Sequence, residues 1–206
     1  MRYRQHTPII ITLPEVYPNE ARALFSLVEN GAEIIHIRKP GITESAMCET
    51  LKKIHPEILY HITIHYFPHL AGYFGLGGVH EKLDSIGRIS GSFRKSASCH
   101  NWEEVKSCMG HADYVFLSPI FDSVSKAGYQ AAFAEEQLKI LLKNPDRPPV
   151  VALGGITEET IGKARPYGFE GAAAIGSIWV VRNGVIDIDR TVANYKALTK
   201  AWNETK

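Results

Sequence analysis

The sequence predicts a single-domain (β/α)8 barrel spanning residues 1–206, and three observations carry that prediction. Short apolar runs alternate with longer amphipathic stretches along the whole chain. The length of 206 residues fits one closed eightfold barrel. Glycine-bearing turns follow directly on the last two apolar runs, where a barrel of this kind places its ligand-binding loops.

The elements follow in order. Pro8 to Leu13 reads as a first strand, and Asn19 to Asn30 as a helix with Ala23, Leu24, Leu27 and Val28 at helical spacing. Asn19 is its expected N-cap and Gly31 its stop. Glu33 to Arg38 forms the second strand, and a helix capped by Thr43 runs to about Ile54. Ile58 to His65 is the third strand, Phe67 to Phe74 a short helix, and Gly78 to His80 a minimal fourth strand. Ser92 to Cys99 is a polar fifth strand followed by a helix over Asn101 to Met109. Ala112 to Ser118 is the sixth strand, with a long loop from Pro119 to Gln130 and a helix from Ala131 to Lys143. Pro149 to Leu153 and Gly171 to Ile175 are strands seven and eight, with helices over Thr157 to Arg165 and Ile188 to Asn203. Such alternation implies parallel strands joined by right-handed crossovers. A doubly wound open sheet is the rival arrangement; unit count and glycine placement favour the barrel.

Composition narrows the partners. Lys and Arg total 23 against 22 Asp and Glu, a balance that gives no reason to expect nucleic acid or an anionic membrane. Hydrophobic residues at 45% suit a large core. Cys48, Cys99 and Cys108 make an odd count without paired spacing, which argues for reduced thiols in a cytoplasmic protein over a disulfide framework or structural zinc. The run Pro8 to Leu13 is too short for a signal-peptide core or a membrane span.

The chemistry of a (β/α)8 barrel lies at the C-terminal ends of its strands. Leu153-Gly154-Gly155-Ile156-Thr157 and Ala174-Ile175-Gly176-Ser177-Ile178 leave backbone amides uncovered at helix starts, which favours phosphate. Tight turns alone would also use these glycines. Alternation places Ile34, His36 and Arg38 on one face of strand two and Ile35 and Ile37 on the other. The aliphatic pair should pack on helices. The polar set should point into the barrel top, with Arg38 buried against an acid or a bound anion. The loop Ser118 to Gly128 carries Ser123, Ser125 and Lys126 on the active face and has the make-up of a lid. His65, His80, Ser98 and His100 end neighbouring strands, where each is either a satisfied polar residue or a proton donor. No His pair has a convincing zinc-ligand spacing, and Cys99 and His100 face apart as strand neighbours.

Taken in order, these segments resemble the thiamine-phosphate synthase/TenI family over nearly the whole chain. The matching pieces are Gly31 to Arg38, Gly78-Val79-His80, Ser96 to His100, Ser118 to Lys126, Val151 to Ile156 and Ala174 to Ile178. The resemblance implies a transferase of thiamine biosynthesis. It would join hydroxymethylpyrimidine pyrophosphate to thiazole phosphate, releasing pyrophosphate. Arg38 and Lys126 would then hold the pyrophosphate, Ser123 and Ser125 would donate hydroxyls, and Gly154, Gly155, Gly176 and Ser177 would hold the thiazole phosphate. Mg2+ is the implied metal, with Asp84 or Glu81 available for it; no nucleotide or organic cofactor is expected. The family's strand-two Lys falls on Pro40, with Lys39 adjacent, and its strand-three Asn-Asp falls on His65-Tyr66. TenI-like members isomerise the thiazole phosphate without metal. For that activity His36, His65, His80 or His100 would supply the proton, since the usual catalytic His position holds Pro119. A non-catalytic binder of thiamine phosphate is the third implied role. Expected partners are phosphorylated pyrimidine and thiazole ligands, with no nucleic acid or membrane; a homodimer stays open.

Overall fold

A computed structural model describes residues 7–88, 90–122 and 133–205. Eight parallel strands close into a barrel in sequence order, β8 pairing back onto β1. They are β1 (Ile9–Ile11), β2 (Ile35–Ile37), β3 (Ile62–His65), β4 (Gly78–Glu81), β5 (Arg94–Cys99), β6 (Tyr114–Leu117), β7 (Val150–Leu153) and β8 (Gly171–Ala174). The helices are α1 (Glu20–Glu29), α2 (Glu44–Lys52), α3 (Leu70–Phe74), α4 (Trp102–Ser107), α5 (Glu135–Leu142), α6 (Glu158–Tyr167) and α7 (Ile188–Glu204). The predicted barrel is therefore the observed one. Among the described residues, no helix is long and apolar enough to cross a membrane.

Period-two alternation sorts the side chains into two layers. Ile10, Ile35, Ile37, Ile62, Ile64, Val79, Ala97, Val115, Leu117, Val150, Ala152 and Ala172 face outward and pack under the helices. Ile9, Ile11, Ile34, Tyr114, Phe116, Val151 and Ala173 fill the barrel interior. The interior is lopsided. β1, β7 and β8 contribute apolar groups, whereas β2 to β5 contribute His36, Thr63, His65, His80, Ser96 and Ser98.

Several expectations need correction. Residues 56–61 form a 3-10 helix, not the first half of a strand; Pro56 sits at its first turn, where the missing N–H costs nothing. Among the described residues, no regular helix joins β4 to β5, so one of the eight alternations is incomplete. Asn19 occupies the N-cap position of α1 but makes no cap bond. Its amide instead donates to the Ile186 carbonyl at 2.8 Å and accepts from the Ile186 amide at 3.0 Å. Ile186 belongs to a two-stranded hairpin, β9 (Val181–Arg182) with β10 (Val185–Ile186), which the alternating pattern did not announce. Thr43 caps α2 as predicted, accepting from the Ala46 amide. The three cysteines are free, with Cys99 and Cys108 buried.

The ends of the barrel meet across a seam. Besides the Asn19 contacts, Trp179 Nε1 donates to the Ile11 carbonyl at 2.9 Å, and the Tyr195 hydroxyl to the Gly31 carbonyl at 3.1 Å. α7 packs against both α1 and α6, and Arg165 stacks 4.5 Å over the Trp202 ring.

Candidate active site at the C-terminal rim

The two glycine turns lie side by side, because β7 and β8 are paired. Gly154 and Gly155 have φ of 93° and 65°, the left-handed region in which glycine is the least strained residue. The Ser177 hydroxyl donates to the Ile156 carbonyl at 2.7 Å and so ties the second turn to the first. Among the described residues, the amides of Gly155, Gly176 and Ser177 find no hydrogen-bond acceptor. Uncovered amides next to the start of α6 are the elements of an anion site. The second turn does not open a helix as expected, because the β9–β10 hairpin intervenes before α7.

The segment after β6 packs on the first turn. Ile120 and Phe121 amides donate to the carbonyls of Leu153 and Gly154 at 3.0 and 3.1 Å. A Cβ on Gly155 would stand 2.6 Å from the carbonyl oxygens of both Phe121 and Asp122. Gly155→Ala is therefore expected to lower stability by about 2–4 kcal/mol, combining left-handed strain with overpacking against backbone. Urea unfolding would check this, and a change below about 0.5 kcal/mol, the size of an ordinary surface substitution, would contradict the close packing.

Arg38 stands on the same rim as these turns. The structure corrects its expected burial: β2 ends at Ile37, and Arg38 extends past the strand into an exposed position. An unpaired guanidinium is costly to bury, so this placement follows from the lack of an acid beside it. Among the described residues it has no ion-pair partner, while its charge still bears on His65 and His80. Lys39 is the buried cation instead. It binds Glu20 Oε1 at 2.5 Å and the carbonyls of Leu13 and Glu15 at 2.7 and 2.6 Å, in the connection that follows β1.

Beneath the rim, β2, β3 and β4 bring three histidines together. His36 Nδ1 lies 2.9 Å from His65 Nε2, and His36 Nε2 lies 2.7 Å from the Tyr114 hydroxyl. His65 and His80 stack with centroids 4.0 Å apart. His80 pairs through Nδ1 with Ser96 Oγ at 2.9 Å and through Nε2 with Ser98 Oγ at 3.0 Å. All three imidazoles are held neutral. Burial pushes His36 well down, helped by His80 and Arg94. Burial also lowers His65, with His80, His36 and Arg38 adding to it. Burial, then Arg38, brings His80 to about 3. His36 is fully buried, with the His65 and His80 rings against it.

The remaining predicted site residues divide. His100 is exposed at the end of β5, with Nδ1 3.2 Å from the Ser118 carbonyl, outside the histidine cluster. Asp84 is exposed on the turn after β4. Glu81 shares the outward face of β4 with Val79; its two carboxylate oxygens are buried without partners behind the sheet, and burial raises its carboxyl. Among the described residues, no carboxylate group gathers ligand atoms around Asp84. Among the described residues a magnesium ion would find the exposed Asp84 carboxylate at this turn, with substrate phosphate oxygens and waters needed to complete its shell. Ser123, Ser125 and Lys126 lie outside the described residues. The Tyr114 partnership of His36 escaped the sequence reading, although Tyr114 sits on the inward face next to Ser96.

Fold and site define a (β/α)8 barrel that, among the described residues, presents bare amides and an unpaired guanidinium at the C-terminal end of its strands. The model of the family described as thiamine monophosphate synthase, TMP-TENI, matches residues 10–178. The chain belongs to this family. Thiamine-phosphate synthase of Anoxybacillus flavithermus is 40% identical over 82 residues, covering 39% of this chain and 38% of that protein. The enzyme of the same name from Lysinibacillus sphaericus is 31% identical over 138 residues, covering 64% and 62%. The chain thus aligns with less than two thirds of either relative's length. Among solved structures, thiamine phosphate pyrophosphorylase from Bacteroides thetaiotaomicron superposes with a TM-score of 0.83 at 26% identity, covering 97% of this chain and 99% of that one.

Proposed function

We propose that the chain is a thiamine-phosphate synthase-type transferase, joining hydroxymethylpyrimidine pyrophosphate to thiazole phosphate with release of pyrophosphate. The observation that carries this reading is the side-by-side placement of the Gly155, Gly176 and Ser177 amides, which find no acceptor among the described residues, on the rim that also presents Arg38. In such a reaction the C–O bond to pyrophosphate breaks with its electron pair, and the thiazole nitrogen supplies the pair for the new C–N bond. The protein's task is to accept the developing polyanion and to hold the two rings in line. Arg38 meets the leaving pyrophosphate, while the paired turns anchor the thiazole phosphate through amides that need no reorganisation. Lys126, Ser123 and Ser125 are proposed to complete the pyrophosphate side. Asp84 would hold a magnesium ion together with phosphate oxygens of the substrate, and no step is routed through it.

Mixing both substrates with the purified protein is expected to yield thiamine phosphate and pyrophosphate. Arg38→Ala should reduce turnover about 100-fold, the usual effect of losing one charge-stabilising donor. Conversion of the thiazole phosphate tautomer without pyrophosphate release would replace this reading with an isomerase. Tight thiamine phosphate binding without turnover in either assay would make the chain a binder.

A further inference from the structure

The histidine cluster is over-equipped for packing. His36, His65 and His80 each offer a nitrogen, and these nitrogens all lie within 4.8 Å of one another. They come from three consecutive strands at inward-facing positions, His36 opposite Thr63 and His65 opposite His80. A hydrogen-bonded core histidine needs one partner for each nitrogen. Here two imidazoles meet nitrogen to nitrogen at 2.9 Å, an arrangement in which a single proton occupies the space between two lone pairs.

We propose that His36, His65 and His80 form a binding site for a divalent transition-metal ion of the zinc type, with its open coordination position facing the barrel mouth.

The chemistry of the donors selects the ion. Neutral imidazole is a ligand for zinc, cobalt, nickel and iron, whereas magnesium takes hard oxygen donors. Tetrahedral bonds of about 2.0–2.1 Å place ligand nitrogens about 3.3 Å apart, so binding requires the stacked His65 and His80 rings to rotate until their lone pairs converge. The ion would displace the proton shared by His36 and His65. The surrounding hydroxyls are already where metal-bound histidines need their supporting partners. Tyr114 holds the far nitrogen of His36 at 2.7 Å, and Ser96 holds Nδ1 of His80 at 2.9 Å, while Nε2 of His80 would exchange its 3.0 Å contact with Ser98 for the metal. Three protein ligands leave a fourth position for water or a ligand oxygen, the pattern of catalytic rather than structural zinc. Arg38 adds a positive charge at the same rim, so an anion in the fourth position offsets the repulsion.

The test uses full-length protein stripped with a chelator and titrated with Co2+, with and without inorganic phosphate. The expected result is one equivalent of bound ion with the intense visible absorption of four-coordinate cobalt, and displacement of that signal by Zn2+. His65→Ala at the mouth should weaken binding by at least 100-fold, and Tyr114→Phe, which keeps every ligand, by about tenfold. Circular dichroism confirms that each variant is folded. No visible band in either buffer overturns the proposal, and so does a band that all variants retain, because surface histidines would then be its source. Neither outcome depends on whether the protein turns over thiamine precursors.

Discussion

Replacing Lys39 with methionine is expected to destabilise the protein by about 3–5 kcal/mol, because it leaves the Glu20 carboxylate buried without its partner. Lys39 and Glu20 are 1% and 5% exposed in their side chains. Burial pushes the Glu20 carboxyl up and the Lys39 ammonium down, and each charge pulls the other back. The pair thus compensates a desolvation cost and adds little net stability of its own. The double variant Glu20→Leu with Lys39→Met should therefore recover much of the loss. It will not recover all of it, since the Leu13 and Glu15 carbonyls lose their donor. Urea unfolding of the four proteins measures the coupling directly. A single variant within about 1 kcal/mol of the parent would mean that water reaches Glu20, and would remove the basis of this account.

Acidification should weaken the fold steeply in the metal-free protein. Free histidine takes up its proton near pH 6.5, whereas His36, His65 and His80 are all held lower, His80 to about 3. The unfolded chain therefore binds protons that the folded chain refuses. The contribution of these groups is fully present above about pH 6.5 and is lost as the pH falls from there toward the folded values. Each such histidine costs about 1 kcal/mol per pH unit in that window, so three together remove roughly 3–4 kcal/mol per unit until the first enters the charged state. One charged ring then opposes the next across the 2.9 Å contact of His36 and His65. Chelator-treated protein should show its urea midpoint falling sharply between pH 7 and 5, and His65→Gln should flatten the slope. Equal midpoints across that range would show that these rings take up protons in the native state as they do in the unfolded chain.

Much of this was legible in the sequence, for identifiable reasons. Alternation in Glu33 to Arg38 placed His36 inside and Ile35 and Ile37 under the helices, since a closed barrel has only those two faces. The turn at Gly154 was readable because its positive φ leaves a mark in residue type, and the turn at Gly176 because small residues end its strand. Residues 56–61 misled because Ile58 and Leu59 are as apolar in a 3-10 turn as in a strand. The Lys39–Glu20 pair was illegible, since burial of a lysine depends on helix α1 arriving from elsewhere in the chain. The histidine cluster sits between these cases. Each ring lies at the end of its own run, but their meeting depends on the register of three strands. Inward parity on consecutive strands was the signal that could have joined them.

The seam described above has a bearing on how the molecule is made. Ile11, Asn19 and Gly31 all bond to groups between Trp179 and Tyr195, more than 160 positions later in the chain. On the ribosome, the first strand and first helix emerge long before those partners exist. Until they do, β1 keeps an open edge that invites pairing with a neighbouring nascent chain. Ring closure is thus a late event, completed only once the stretch through Tyr195 has cleared the exit tunnel, and holding chaperones would act on the incomplete barrel in that interval.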